Sequence, residues 1–217
     1  MRRLPLIIAL GVLLFLDISA QSSVQGKQIL LIQPLGAEIP NEDMTLVEQA
    51  LVGFYNVQIR VLPRVDLPKQ AYYEPRQRYR AEKILPFLLE KLPSDGDRIL
   101  GLTRADISTD KGSIKDWGIL GLASLGGKEC IISSFRCHKR PLQGVSASIL
   151  LAKVAVHEFG HTLGLDHCTA RGCLMEDAGG LARTCNREFD LCPRCRSMLR
   201  VRGYAIPDRP LIPWPRP

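Results

Sequence analysis

Apolar residues along this chain change period repeatedly, from the short runs of strands to the stripes of helices. Residues 28–33 form an apolar, β-branched run and are predicted as the first strand. Asn41 can cap a helix in which Leu46, Val47, Ala50, Leu51 and Phe54 share one face. A second strand is predicted over 57–62. An amphipathic helix comes next over 76–92 with Tyr79, Ile84, Phe87 and Leu88 turned inward, and a third strand over 98–102 after a turn at Asp95-Gly96. Residues 117–123 then read as one short strand, Gly126-Gly127 as a turn, and 129–134 as the next strand. A long helix over 146–163 comes last. This order predicts an α+β domain with a mixed, mostly parallel sheet.

The ends of the chain break that pattern. Met1-Arg2-Arg3 is a basic start, residues 4–16 are apolar, and Ile18-Ser19-Ala20 offers a small residue before Gln21, so residues 1–20 read as a signal peptide. The apolar run is short for a spanning helix, and the competing reading is an uncleaved N-terminal anchor. Export to the periplasm or outside the cell is expected, with no stable membrane insertion after cleavage. Few residues separate Gln21 from the first strand, so a long removable pro-segment is not expected. Residues 205–217 form a Pro-rich tail that cannot continue a helix or a central strand. The tail can pack on its own domain, stay disordered, or dock on a partner through Trp214. Residues 21–204 remain as one domain.

Composition narrows the partners. The 217 residues are 46 % hydrophobic and 24 % charged, which suits one globular core. Removing residues 1–20 takes away two arginines and one aspartate, and the net charge falls only from +7 to +6. The basic residues are spread with little aromatic interleaving, so no nucleic-acid module is indicated and a solvated basic surface is expected. A monomer is expected.

Chemistry concentrates in residues 157–167, His-Glu-Phe-Gly-His-Thr-Leu-Gly-Leu-Asp-His. His157 and His161 are four apart and share a helix face, where they can hold one metal ion with Glu158 beside them. Gly164 can adopt the left-handed conformation that ends a helix and lets His167 reach the same ion. Three neutral imidazoles leave one position of a zinc ion open to water, whose pKa falls from about 15.7 to about 7. Glu158 is the candidate general base that would take the proton from that zinc-bound water as it attacks a peptide carbonyl. His138, the remaining histidine, lies in a basic stretch and reads as a surface residue.

Two cysteine pairs come after the third histidine, Cys168 with Cys173 and Cys192 with Cys195. Four thiolates close a tetrahedral sphere, so the pairs read as a second, structural zinc site within residues 168–195, or alternatively as two disulfides in an exported protein. Cys130 and Cys137 read as a disulfide or as two buried thiols, with the disulfide slightly favoured. Cys185 remains as a free thiol or a poorer zinc ligand.

These motifs together resemble the archaemetzincin family of metzincin-clan metallopeptidases. The similarity runs through the three histidines into Cys168, Cys173 and Met175 and ends at Cys192 and Cys195. Upstream it includes Ile32-Gln33-Pro34-Leu35-Gly36, Leu67-Pro68 with Ala71-Tyr72-Tyr73, Arg76 to Arg80 with Ala81, Gly101-Leu102-Thr103, and Asp106-Ile107-Ser108. The resemblance implies a zincin-like fold with a long active-site helix and a Cys-rich C-terminal zinc-binding segment. It also implies two zinc ions per chain, and it makes Met175 the Met-turn residue, an apolar floor beneath the catalytic zinc. In proteins of this kind a sheet edge above the metal can take substrate as an added strand, which places substrate beside residues 117–123. An ordinary buried strand there is the competing reading. Arg78 and Arg80, on the helix expected over 76–92, would be a solvated face.

The function expected is zinc-dependent hydrolysis of peptide bonds in a peptide or protein substrate. The alternative is a zinc-stabilised, catalytically weak or inactive peptide-binding protein. Nothing in the residues chooses between cutting internally and trimming from the amino end.

Overall fold

In the computed structural model, which describes residues 27–139, 144–177 and 189–214, the first strand β1 (Ile29–Leu35) is an inner strand of the main sheet. It pairs in parallel with β2 (Gln58–Val61) on one side and β5 (Arg98–Thr103) on the other. β9 (Glu129–Ser133) joins β5 in parallel, and β8 (Gly121–Ala123) closes the row antiparallel to β9, giving the order β2-β1-β5-β9-β8. Both faces of this sheet are covered, which is why its central strands read as apolar runs. Leu30, Ile32, Leu100 and Ile132 face α1 (Asn41–Tyr55) and α4 (Ala147–Thr162), while Leu31, Ile99 and Ile131 belong to a second core with Ile84 and Leu88 of α2 (Ala81–Lys91).

The sequence expectations need five corrections. Residues 76–92 are not one helix: a 3-10 turn at Glu74–Arg76 and a left-handed Gln77 lead into β4 (Arg78–Arg80), and the helix starts at Ala81. Tyr79 therefore lies on a strand, with Phe87 only half buried. β4 joins β3 (Tyr72–Tyr73), β6 (Ile107–Lys111) and β7 (Ile114–Ile119) in a second sheet of order β3-β4-β6-β7. Residues 117–123 are likewise divided. Ile119 pairs with Ile107 in the second sheet, whereas Gly121 pairs with Ile132 in the first, and Leu120 makes the crossing with its carbonyl accepting from the Ser133 amide at 2.8 Å. Asn41 is the first helical residue, after an N-cap Pro40 without a side-chain capping bond. Cys130 and Cys137 are buried free thiols. Cys137, on α3 (Phe135–Lys139), donates to the Ser133 carbonyl at 3.7 Å, and burial pushes its pKa up to about 12.

Arg78 and Arg80 are not a solvated face either. Their side chains are 15 % and 14 % exposed, with Arg78 lying 3.3 Å from Asp106 and 3.4 Å from Asp116, and Arg80 2.6 Å from Asp110. Arg136 of α3 grips Asp106 with two bonds of 2.7 and 3.0 Å. These ion pairs tie β4 to β6 and β7 within the small sheet, and Arg136 ties that sheet to α3. His138 is exposed as expected, with its Nε2 3.5 Å from Asp43.

The tail to residue 214 packs on its own domain. Trp214 is 4 % exposed and stacks on Phe54, with ring centroids 5.6 Å apart. The stretch read as a signal peptide and Cys185 lie outside the described residues. Among those described, no helix is long and apolar enough to cross a membrane.

Candidate active site

Helix α4 is buried almost all round, and this fixes the side chains it carries. Ser146 caps its start by accepting from the Ile149 amide at 3.2 Å. At its end Gly164 takes φ +84°; the Leu165 amide reaches back to Gly160 O at 3.0 Å and the Gly164 amide to His161 O at 2.8 Å, a Schellman motif. The chain turns there, and the His167 ring comes to 5.4 Å from that of His157 and 4.9 Å from that of His161.

The hydrogen bonds set the state of the imidazoles. His157 Nδ1 lies 2.7 Å from Leu174 O, and His161 Nδ1 lies 2.7 Å from Leu165 O. A carbonyl only accepts, so each Nδ1 carries the proton and each Nε2 keeps its lone pair. Those two Nε2 atoms sit 3.0 Å apart, near the edge of about 3.3 Å that a tetrahedral zinc with 2.0–2.1 Å bonds to nitrogen requires. One ligand nitrogen from each of the three histidines falls within 4.8 Å of the others. Burial, with the neighbouring His161 second, lowers His157 to about 4, and burial lowers His161 too. Both are neutral at pH 7, as metal ligands must be. This donor set fits zinc.

Glu158 is 9 % exposed and turned toward β8. Its carboxyl fills the space a side chain at Gly121 would occupy: a Cβ there would lie 2.8 Å from Oε1. Burial pushes its pKa up to about 8, and a divalent cation beside it would pull it down again. Met175 is fully buried, with its sulfur against the bare backbone of Gly160, where a Cβ would lie 2.6 Å from Sδ. Tyr55, unnoticed in the sequence, donates from α1 to Val156 O at 2.7 Å and so braces the same helix. Arg202 braces its end, donating to Gly164 O at 2.6 Å.

A cleft of about 380 Å³ runs past the histidines between α4 and the 117–125 segment, with Trp117, Ile119 and Leu122 on one side and Lys153 and Val154 on the other. β8 is the free edge of the large sheet on this cleft. Residues 117–123 thus lie beside the histidines, although as two strands.

The four cysteines also converge, with their sulfurs within 4.8 Å of one another. Cys168 and Cys192 sulfurs are 3.7 Å apart, and those of Cys173 and Cys195 3.8 Å apart. These separations exclude the disulfide reading at these pairs and match the edge of about 3.8 Å of a tetrahedron with 2.3 Å zinc–sulfur bonds. The Cys192 amide donates to Cys173 Sγ at 3.3 Å, and the Ala170 amide to Cys168 Sγ at 3.4 Å. Its contact with the Cys195 sulfur first, and the Cys192 amide among the others, draw Cys173 down to about 5. Cys192 precedes α5 (Pro193–Val201), which carries Cys195.

Histidines on one buried helix, facing a free sheet edge across a cleft, define a zinc-dependent metallopeptidase. Its family is shown by the sequence match: the model of peptidase family M54 covers residues 45–201, and the protein belongs to that family. The archaemetzincin of Methanocaldococcus jannaschii is 29 % identical over 181 residues, which cover 82 % of this chain and 96 % of the relative. Among solved structures, the archaemetzincin of Methanopyrus kandleri superposes with a TM-score of 0.68 at 26 % identity, covering 86 % of this chain and 98 % of its own. That of Archaeoglobus fulgidus gives 0.64 at 28 %, covering 78 % and 99 %.

Proposed function

We propose that this zinc peptidase hydrolyses peptide bonds with Glu158 as general base, His157, His161 and His167 holding the catalytic zinc, and Cys168, Cys173, Cys192 and Cys195 holding a second, structural one. The observation that carries this reading is the pair of Nδ1-to-carbonyl bonds, which leave two Nε2 lone pairs converging beside a buried carboxylate. Zinc at the three histidines would act as a Lewis acid on a carbonyl oxygen and lower the pKa of water to about 7.

The chain's own residues do the rest. β8 offers its free backbone groups to an extended peptide, which adds as a strand and brings a carbonyl carbon over the histidines. Glu158 accepts a proton from the attacking water and returns it to the departing amine nitrogen, so that it ends the cycle as it began. Its burial keeps it away from competing water protons. Leu174 O and Leu165 O hold the two imidazoles in the ligating tautomer throughout. Met175 and Tyr55 hold the helix from behind. The four cysteines fix the segment downstream of His167, and we extend the proposal to export directed by residues 1–20.

The test is mass-spectrometric mapping of cuts in a complex peptide library by zinc-loaded protein and by Glu158→Gln. Cuts made by the wild type and lost in the variant are expected. A variant that still cuts overturns Glu158 as the base, and a wild type that binds peptides without cutting them points to the peptide-binding alternative.

A further inference from the structure

Leu125 has no part in the chemistry above and belongs to neither core, yet it lines the cleft just past the end of β8. It is 60 % exposed, whereas the other exposed large apolar side chains among the described residues, such as Val61, Ile114 and Leu211, do not line that cleft. Single exposed leucines are common on protein surfaces. What sets this one apart is how firmly it is held beside the histidines.

The Gly127 amide donates to Ser124 O at 2.9 Å and closes a β-turn with Leu125 and Gly126 at its centre. Gly126 has φ +69°, the positive value that the third residue of a type II turn requires. Ser124 is tied in turn to β9, its amide donating to Glu129 O at 3.2 Å and its hydroxyl to Glu129 Oε1 at 2.5 Å. The Gly126 amide then donates across to His161 O at 2.8 Å, so the turn is bonded to the end of the helix that carries two of the histidines. Turns favour Gly, Pro, Asn, Asp and Ser, and a leucine left in water at this position gains little from its own fold. Ile119, Leu122 and Val154 continue the apolar lining of the cleft.

We propose that Leu125 sets specificity by gripping a large aliphatic or aromatic side chain of an extended peptide substrate. A peptide added to β8 keeps step with it residue for residue. Gly121 lies against the Glu158 carboxyl, and Leu125 comes four positions later in the chain, past the end of the strand. The gripped side chain therefore falls about two to four residues from the bond cut. The proposal rests on the peptidase reading for the place of the cut, but not for the preference in binding. Covering the exposed part of Leu125 favours a peptide with a large apolar residue over one with alanine by about 5- to 20-fold in affinity.

The experiment measures fluorescence anisotropy of labelled decapeptides on the zinc-loaded Glu158→Ala protein, with zinc content and a thermal melt recorded for every variant. The peptides share one polar sequence and carry Leu, Phe, Ala or Glu at a single central position. Tighter binding of the Leu and Phe peptides is expected. Adding Leu125→Ser brings their affinity down to that of the Ala peptide and leaves the Ala peptide unchanged, Leu125→Met keeps the preference, and Leu125→Arg turns it toward the Glu peptide. Val61→Ser, at an exposed apolar residue of β2 away from the cleft, keeps the preference. With Glu158 restored, cuts in the Leu and Phe peptides fall at a constant offset from that residue, and Leu125→Ser scatters them. Equal affinity for all four peptides, an unchanged preference in Leu125→Ser, a uniform loss across the peptides, or a loss that follows zinc content overturns the proposal. Absence of cutting by the wild type, with these binding preferences present, overturns only the catalytic reading.

Discussion

Replacing Gly121 by alanine isolates the geometry of Glu158 from the rest of the site. The new Cβ would lie 2.5 Å from Glu158 Cγ and 2.8 Å from Oε1. Carbon atoms in ordinary contact lie about 3.5–4.0 Å apart, so the carboxylate must retreat by about 1 Å into the cleft. A displacement of about 1 Å at a reacting group can lower the rate about 100-fold. Overpacking of this kind costs about 1–3 kcal/mol, which in a chain of this size lowers Tm by about 2–12 °C. The histidines are not touched, so zinc content should not change. The assay pairs kcat on a peptide that the wild type cuts with zinc analysis and a thermal melt. Gly112→Ala is the control: its φ is +56°, but nothing lies within 4 Å of a Cβ there, so it strains the backbone without moving Glu158. Wild-type kcat in Gly121→Ala would refute the packing of Glu158 against β8. Activity lost only in step with zinc would show that the effect runs through the ligands instead.

Arg136→Leu should destabilise the protein by about 3 kcal/mol in urea unfolding, the low end for breaking a buried ion pair, because Arg78 still lies 3.3 Å from Asp106. Adding Asp106→Leu should recover part of that loss, and a double variant as unstable as the sum of the singles would count against a direct pair. Alkaline stability has a defined sign. Cys137 ionises near 9.0 ordinarily but near 12 when folded, so its contribution is complete below pH 9 and is lost as pH rises toward 12. The loss approaches about 4 kcal/mol over that interval. Buried Cys130 and Tyr55, also raised by desolvation, add in the same direction. Cys137→Ala should flatten the curve between pH 9 and 12, and an unchanged slope would contradict the buried-thiol assignment.

The central sheet was legible because burial on both faces leaves β1, β5 and β9 as apolar runs that no helix period imitates. The histidines were legible because their geometry is local: four residues along a helix and a glycine after it. The second sheet was not. Its strands are two to six residues long, and Arg78 and Arg80 fall at a spacing that also suits a helix. What holds them extended is Asp106, Asp110 and Asp116, far along the chain. The same limit hid Tyr55 and Arg202, whose partners are backbone carbonyls of α4 and of the turn that ends it. A carbonyl has no signature in the sequence. Cys130 and Cys137 misled for a different reason: their separation along the chain permits a bridge, while in the fold both are free thiols buried in one apolar core.

His167 and Cys168 are consecutive, so under the two-zinc reading one peptide unit joins a ligand of each site. Their Cα atoms are held about 3.8 Å apart by covalent geometry alone. His157 and His161 are arranged by the helix that carries them, and helices form early from local contacts. His167 is arranged by residues downstream of it: Cys168 donates from its amide to Met175 O at 2.7 Å, and Leu174 N to Asp190 O at 2.9 Å, across a long excursion of the chain. A substitution that loosens the cysteine cluster would therefore reach the third imidazole through a single peptide unit, without touching the helix that carries the other two.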